Sequence, residues 1–208
     1  MKDFTIPSDY YEHIIENETI LLEDIESYSH LKNCVIECKF GRRQMNEVAF
    51  ENCEFSYNDL SKMEFLDCVF YKCDFSNGSF ENTTLYRVKF GSCKLIGARF
   101  TNSTIKDGQF WDCLLTYANF SDSKLTNVHF HEGKLDDSFF QHMKQKNVTF
   151  SHVAMDGIDF SETLLKDINL STCEFHRINL DIALAKGLTI RPDQAYSLIA
   201  LCGVKLSE

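Results

Sequence analysis

Large apolar residues recur at every fifth position along most of this chain. The multiples of five between Phe40 and Leu180 number 29, and they hold 16 Phe, 9 Leu, 2 Met, 1 Ile and one polar residue, Gln145. An α-helix would scatter such a pattern around its circumference, and a flat strand would send successive members to opposite faces. The pattern therefore predicts a chain that makes a quarter turn every five residues, so that a square coil closes after twenty residues around an apolar axis.

Two further regularities support a coil of this length. Positions two residues before the large ones are mostly small or medium-sized, as at Cys53, Ala98 and Ser123, which suits a second inward position at a corner. Phe also occupies every multiple of ten between Phe50 and Phe160 except position 60, while Leu, Ile or Met hold most of the odd multiples of five after residue 84. We therefore expect opposite walls to contribute residues of matched volume to a narrow core.

The repeating units identify a family resemblance. Residues 73–77 (CDFSN), 98–102 (ARFTN) and 118–122 (ANFSD) resemble the pentapeptide repeat, which follows the approximate pattern A(D/N)LXX. The resemblance extends over about 145 residues without interruption. It implies an all-β solenoid, the right-handed quadrilateral parallel β-helix of that family, with a C-terminal α-helical cap.

The ends of the chain depart from the five-residue pattern. Leu31 and Ile36 lie one residue out of phase with Phe40, which predicts a first coil that is joined to the others through a one-residue slip. A short helix over 9–16 is expected to cover that coil, with Ser8 as its N-cap. The predicted organisation is an N-terminal cap segment at 1–18, a β-helix at 19–182 and a C-terminal segment at 183–208.

The C-terminal segment predicts a helix between Pro192 and Gly203, since Pro suits a first turn and Gly suits the position after the last one. Its apolar residues cover two sides, so we expect one side to pack on the last coil and the other on a second chain. The segment resembles that of the Qnr-type quinolone-resistance proteins and the mycobacterial protein MfpA, which dimerise through it, and this implies an end-to-end homodimer. The expected interface residues are Ala195, Leu198, Ile199, Leu201 and Cys202.

The nine cysteines follow the coil rather than a disulfide or metal pattern. Five of them differ by multiples of twenty, and Gly133 and Val153 occupy the same column where Cys is absent. A column that accepts Gly and Val selects small inward residues, which predicts buried, reduced thiols. His129 and His131 project outward and could bind a metal only weakly. No cofactor and no metal are expected, and no catalytic motif or cleft is predicted, so we expect a protein that is not an enzyme.

The net charge of −10 is unevenly distributed. Residues 1–38 carry nine acids and two bases, 39–182 carry 20 acids and 16 bases, and 183–208 carry two acids and three bases. A basic footprint for direct nucleic-acid binding is missing. No leader pattern and no apolar run of membrane-spanning length occur, which predicts a cytoplasmic protein without a membrane partner.

Acidic residues recur in the twenty-residue columns. Regularly spaced carboxylates on a rod about as thick as duplex DNA can imitate phosphates, and the Qnr-type resemblance implies a DNA mimic that binds DNA gyrase or topoisomerase IV and reduces fluoroquinolone susceptibility. A solvated face is the simpler explanation of the same columns. A generic interaction scaffold and a topoisomerase-toxin immunity factor remain alternatives. The candidate acidic surface consists of Glu47, Asp67, Asp107, Asp136, Asp137, Asp156 and Asp167.

Overall fold

The computed structural model describes residues 10–38 and 44–204. Ser8, Phe40 and the rest of the other segments lie outside the described residues. The chain forms a right-handed quadrilateral parallel β-helix of about eight turns, followed by a short C-terminal helix, as the repeat predicts. The predicted fold class is confirmed.

Short strands make up the walls of the coil. They are β1 His13–Glu16, β2 Thr19–Leu21, β3 Ser29–Lys32, β4 Val35–Glu37, β5 Gln44–Asn46, β6 Val48–Glu51, β7 Glu54–Phe55, β8 Glu64–Leu66, β9 Val69–Tyr71, β10 Thr84–Tyr86, β11 Lys89–Gly91, β12 Thr104–Lys106, β13 Gln109–Trp111, β14 Lys124–His131, β15 Lys144–Ser151, β16 Ile158–Asp159 and β17 Ile178–Asn179. The helical elements are three 3₁₀ turns, Leu22–Asp24, Ile182–Leu184 and Pro192–Gln194, and the helix α1, Ala195–Leu201.

Four walls result, and we name them in chain order. Wall A contains β5, β8, β10, β12 and the first halves of β14 and β15, and wall B contains β1, β3, β6, β9, β11, β13 and the second halves of β14 and β15. Wall C begins with β2, β4 and β7 and continues as single bridges, and wall D consists of such bridges together with β16 and β17. All pairings are parallel, and from β5 onward each residue pairs with the one twenty positions later.

The core is two ladders of phenylalanine rings. Phe100 illustrates the packing, because its fully buried ring stacks on two neighbours and meets Phe110 edge-on at 5.8 Å between centroids. Rings at this spacing fill the coil axis and favour the offset and edge-on geometries of aromatic pairs. The first ladder is Phe50, Phe70, Phe90, Phe110, Phe130 and Phe150, with centroids 4.9 to 5.2 Å apart. The second is Phe80, Phe100, Phe120 and Phe140, with centroids 4.6 to 4.8 Å apart.

The corners of the coil require left-handed backbone conformation. From Lys62 to Asp167 the positions two residues after the large inward residues have positive φ, as at Asn77 (57°), Asp107 (56°) and Asn127 (53°). Asn and Asp tolerate this conformation better than most residues, and Gly97 (66°) adopts it freely. The polar corners therefore arise from backbone geometry as well as from solvation.

The predicted N-terminal helix over 9–16 is wrong for the residues that the structure describes. His13–Glu16 is a strand that pairs with β3, with Ile15 opposite Leu31. The boundary predicted at residue 18 consequently falls inside the first coil. This coil needs only 16 residues to reach its partner because the 3₁₀ turn Leu22–Asp24 shortens its path, with the side chain of Leu22 buried in the core. The predicted one-residue slip is confirmed by the following step, where Leu31 pairs with Phe50 after 19 residues.

Residues 10–12, which directly precede β1, lie on the outside of wall B. The ring of Tyr11 is 8% exposed and lies against Ala49 and Val69, while its centroid is 5.4 Å from that of His30. Ala49 and Val69 are outward positions, which later coils fill with polar residues such as Lys89. Apolar residues at outward positions were therefore a sequence signal for a covering segment.

Gln145 lies in register with Leu125 but leaves the apolar core. Its half-buried side chain donates from Nε2 to the carbonyls of Leu164 at 3.3 Å and Lys166 at 2.9 Å in the next coil. Three coils before Lys166, the equivalent carbonyl of Lys106 accepts the backbone N–H of Arg87 at 2.9 Å. The Gln145 amide thus takes over hydrogen bonds that the backbone makes elsewhere on this wall.

The C-terminal end of the coil is closed by side chains that cap backbone carbonyls. Gln194 is 2% exposed and donates from Nε2 to the carbonyls of Leu170 (3.2 Å) and Cys173 (2.8 Å). Arg191 Nη1 donates to the carbonyls of Ser171 and Cys173, both at 3.0 Å. Buried carbonyls at the last coil are thereby satisfied without a further strand.

Candidate functional site

Charged columns on the outside of the coil are the features that could recognise a partner. The column Glu47, Asp67, Asp107 and Asp167 runs along the corner between walls A and B, which we call the AB corner. Asp136 and Asp156 project from wall C, and Asp137 occupies the corner between walls C and D. Ten residues separate the two corners within a coil, so they lie half a turn apart. The seven predicted acids therefore do not form one surface.

Arginine neutralises part of the AB corner. Asp67 makes a bidentate pair with Arg87, the next residue of the same column. Glu47 Oε1 accepts the hydroxyl of Tyr10 at 3.2 Å, and Asp107 Oδ1 accepts Nδ2 of Asn127 at 2.7 Å. The carboxylates of this corner are thus held in place, but the charge of Asp67 is balanced.

The second group of acids surrounds Arg177. Its guanidinium donates to Asp156 Oδ2 from Nε at 3.0 Å and from Nη2 at 2.9 Å, and Nη2 is 3.6 Å from Asp137. Burial alone would raise the pKa of Asp156, but hydrogen bonds from the backbone N–H groups of His176 and Arg177 and from the guanidinium hold that pKa below its usual value. Asp136 accepts the backbone N–H of Asp156 at 2.9 Å. This group is largely an internal network.

The strongest negative charge lies on the first two coils, which we call the acidic end. Residues 10–38 carry seven acids and a single lysine, Lys32, whose Nζ is 3.1 Å from Glu16. Glu18 and Glu37 are both exposed. Glu37 belongs to β4 of wall C and Glu18 precedes β2 of the same wall, so these two carboxylates lie on one side of the acidic end.

The thiols are structural. Cys53, Cys73, Cys93, Cys113 and Cys173 form one buried column. The first four donate from Sγ to a backbone carbonyl of the preceding coil, as Cys93 does to Phe70 at 3.3 Å. Burial raises the pKa of Cys53 and of Cys68 to about 12. Cys202 is the exposed cysteine among the described residues. The buried thiols are therefore poor nucleophiles and poor metal ligands.

The predicted interface residues of the tail play different parts. Leu198 packs against the core of the solenoid, while Ala195 and Ile199 are half-buried. Leu201 is 38% exposed, and Cys202 is exposed with it. A groove of about 440 Å³ runs between α1 and wall D. It is lined in part by Phe139, Ile178, Ala200 and Leu201, so apolar side chains remain accessible beside the helix. We call the exposed apolar residues of the tail, Tyr196, Leu201 and Val204, the exposed strip.

Features of other protein classes do not appear in residues 10–38 and 44–204. No cluster of His, Cys, Asp or Glu there has the arrangement of a metal site. Within the same ranges no helix has the length and apolar character that a bilayer crossing requires. His129 bonds through Nδ1 to Thr149 Oγ1 at 2.7 Å, and the rings of His131 and Trp111 lie 4.0 Å apart.

Comparison with known proteins agrees with this architecture. A family model described as a pentapeptide repeat region matches residues 43–120 and 63–140. This chain is a pentapeptide repeat protein. A trypsin-treated variant of QnrB1, a plasmid-mediated fluoroquinolone resistance protein, is similar over 94% of this chain and 98% of its own, with 19% identity and a TM-score of 0.52.

A second solved structure in this comparison is HetL, a pentapeptide repeat protein involved in heterocyst differentiation regulation from the cyanobacterium Nostoc. It covers 86% of this chain and 83% of its own at 15% identity, with a TM-score of 0.35. A search of curated protein sequences gives no match. At 19% identity the likeness to QnrB1 shows a shared fold.

Proposed function

We propose that this pentapeptide repeat protein is a non-enzymatic DNA mimic that binds a type II topoisomerase, DNA gyrase or topoisomerase IV, and reduces fluoroquinolone susceptibility. The observation that carries the proposal is the acidic end, where residues 10–38 carry seven carboxylates and a single lysine, Lys32, which pairs with Glu16. A dense, fixed array of carboxylates attracts the cationic surface with which a protein binds DNA phosphates. The fold that the chain has in common with QnrB1 supports the same assignment.

The filled core supports an interaction role rather than catalysis. Among the described residues the inward positions are occupied by stacked rings and small residues, and the core they fill leaves no space along the axis for a substrate. Catalysis requires a concave site in which reactive groups converge. Binding through the outer surface is the activity that such a rod can perform.

Dimerisation through the tail is part of the proposal. The outer side of α1 exposes Tyr196 at 65% and Leu201 at 38%, and Val204 follows at 54%. A second copy of the same strip would cover these residues by twofold symmetry. The exposed strip rather than Leu198 is therefore the part of the tail that we assign to the contact.

The proposal is tested by a DNA gyrase supercoiling assay with and without ciprofloxacin. The wild-type protein should inhibit supercoiling or restore it in the presence of the drug. A Glu18→Gln, Glu37→Gln variant should lose most of this effect, while the matched control Asp122→Asn, Glu162→Gln removes two charges elsewhere and should retain it. If wild-type protein changes supercoiling under neither condition, the topoisomerase assignment is wrong.

The runner-up function is an interaction scaffold for an unrelated partner. The pairing of Asp67 with Arg87 and of Asp156 with Arg177 favours it. Each arginine cancels the charge of its aspartate, so the negative potential that a DNA mimic needs is weaker on these parts of the surface. An immunity factor against a topoisomerase toxin is a third possibility. Protection of gyrase from a protein toxin but not from ciprofloxacin would select the immunity role.

A further inference from the structure

Wall A carries a row of exposed lysines in the C-terminal half of the coil. The strand register places Lys106, Lys146 and Lys166 in one outward column, and Lys124 and Lys144 in the column beside it. The hydrogen bond from Leu165 N to Leu184 O at 3.0 Å continues this register, so Lys186 extends the first column. We call these six residues the lysine wall.

The lysine wall is free of opposite charge. From β10 to the level of Lys166, the other outward positions of wall A are Thr, Tyr or Leu, so no acid interrupts the row. The ion pairs of the described residues involve none of the six lysines. The flanking corner residues at the levels of Lys124 and Lys144 are Asn127, His142, Asn147 and one acid, Asp122. A cationic strip therefore stands out on a protein whose net charge is −10.

The strip also contains an apolar anchor. Leu164 follows Lys124 and Lys144 in the second column, and it is 53% exposed between Lys144 and Lys166. An exposed leucine among lysines favours a ligand that combines negative charge with apolar side chains. A nucleic acid backbone offers the charge but no aliphatic group for Leu164.

The dimensions of the strip restrict the ligand to a narrow one. Four coil steps separate Lys106 from Lys186, which is about 19 Å at the spacing of paired strands. Asp107, Asp122, Glu162 and Asp167 border the strip at its corners, so a broad polyanion such as duplex DNA would approach these carboxylates. An extended peptide of about six residues spans the same length and fits between them.

We infer that the lysine wall is a second binding surface, which takes an extended acidic peptide segment of a partner protein, with an apolar side chain of that segment placed on Leu164. This surface is separate from the acidic end and does not depend on topoisomerase binding. The protein would then join two partners of opposite charge along one rigid rod.

Fluorescence anisotropy with a labelled synthetic peptide tests the inference. The probe is a peptide of alternating Glu and Leu, about eight residues long, and the full chain is titrated into it. Lys144→Glu, Lys146→Glu should weaken binding at least about tenfold, because two attractive charges become repulsive. The control Lys89→Glu, Lys134→Glu makes the same charge change on walls B and C and should weaken binding less than about twofold.

Two further arms examine the anchor and the class of ligand. Leu164→Ser should weaken binding of the Glu–Leu peptide about threefold or more but leave binding of a Glu–Ser peptide unchanged. A labelled single-stranded oligonucleotide should bind more weakly than the Glu–Leu peptide. All variants are exposed substitutions, and far-UV circular dichroism checks that they fold.

Several results would overturn the inference. Equal losses in the lysine-wall variant and its control would show that net charge alone governs binding. Tighter binding of the oligonucleotide would assign the wall to nucleic acid. Concentration-dependent self-association that Lys144→Glu, Lys146→Glu abolishes would assign it to the acidic end of a second copy.

Discussion

Replacing Phe100 with alanine is expected to destabilise the coil at its centre. The ring has no solvent exposure and stacks at 4.8 Å on Phe80 and 4.6 Å on Phe120. It also meets Phe90 and Phe110 edge-on, at 6.2 and 5.8 Å. A buried Phe→Ala change costs about 3–5 kcal/mol, and the upper half of this range applies because the regular walls cannot collapse into the cavity.

Phe139→Ala is the matched control. Phe139 lies outside the five-residue register and is 37% exposed on wall D, so its loss should cost less than about 1 kcal/mol. Both variants are measured by equilibrium urea unfolding with far-UV circular dichroism and with the fluorescence of Trp111, the single tryptophan of the chain. If the two probes give the same urea midpoint, a two-state free energy of unfolding can be calculated for each variant.

The comparison between the two phenylalanines decides the outcome. A cost for Phe100→Ala within about 0.5 kcal/mol of that for Phe139→Ala would refute the stacked ladder as the source of stability. A urea midpoint that falls for Trp111 fluorescence but not for circular dichroism would instead show that the coils near Trp111 unfold separately from the others, as quasi-one-dimensional repeats can.

Four other predictions follow from the same structure. A native thiol titration should show fast reaction at Cys202, whereas all nine cysteines react after unfolding; several fast native thiols would contradict the buried column. Because burial raises the pKa of Cys53 to about 12 in the fold, the unfolded thiol ionises first, so stability should fall as pH rises from about 9 toward 12, as pH-dependent urea unfolding can measure. Gln194→Leu should lower the melting temperature by leaving two buried carbonyls unpaired, at a cost of about 2 kcal/mol or more, whereas an unchanged melting temperature would remove its capping role. Leu201→Asp should yield a monomer in light scattering at unchanged thermal stability, and a persistent dimer would refute the exposed strip as the contact.

The body of the coil could be predicted from sequence because one period encodes both core and corner. Between Leu60 and Leu165 each residue at a multiple of five is followed two positions later by a corner with positive φ, and neither depends on distant parts of the chain. The N-terminal strand could not be found in this way. Its coil is only 16 residues long because Leu22–Asp24 shortens the path, so Ile15 pairs with Leu31 outside any twenty-residue column.

The charged surfaces were only partly predictable. The columns follow from the period, but the charge that they present depends on partners in neighbouring coils. Arg177 lies two coils beyond Asp137 and neutralises a group that looks acidic in the sequence. Aspartate at the corners also has a backbone reason, since it tolerates positive φ, and this weakens any functional interpretation of an acidic corner such as Asp107.

The lysine wall was present in the sequence but was not recognised as a surface. Its members belong to two columns. Thr126 interrupts the column of Lys106 and Lys146, and Leu164 ends the run of Lys124 and Lys144. Only the pairing of β14 with β15 shows that the two columns lie side by side on one flat wall. The overall charge of −10 conceals this strip, because it averages the acidic end with the rest of the coil.

Competition for DNA gyrase tests the central claim, DNA mimicry by the acidic end, most directly. Labelled duplex DNA is bound to gyrase, the pentapeptide repeat protein is added, and the anisotropy of the DNA is followed. We predict that the wild-type protein displaces the DNA competitively and that Glu18→Gln, Glu37→Gln requires a higher concentration to do so, while Asp122→Asn, Glu162→Gln behaves as wild type. DNA that stays fully bound at saturating protein would contradict mimicry.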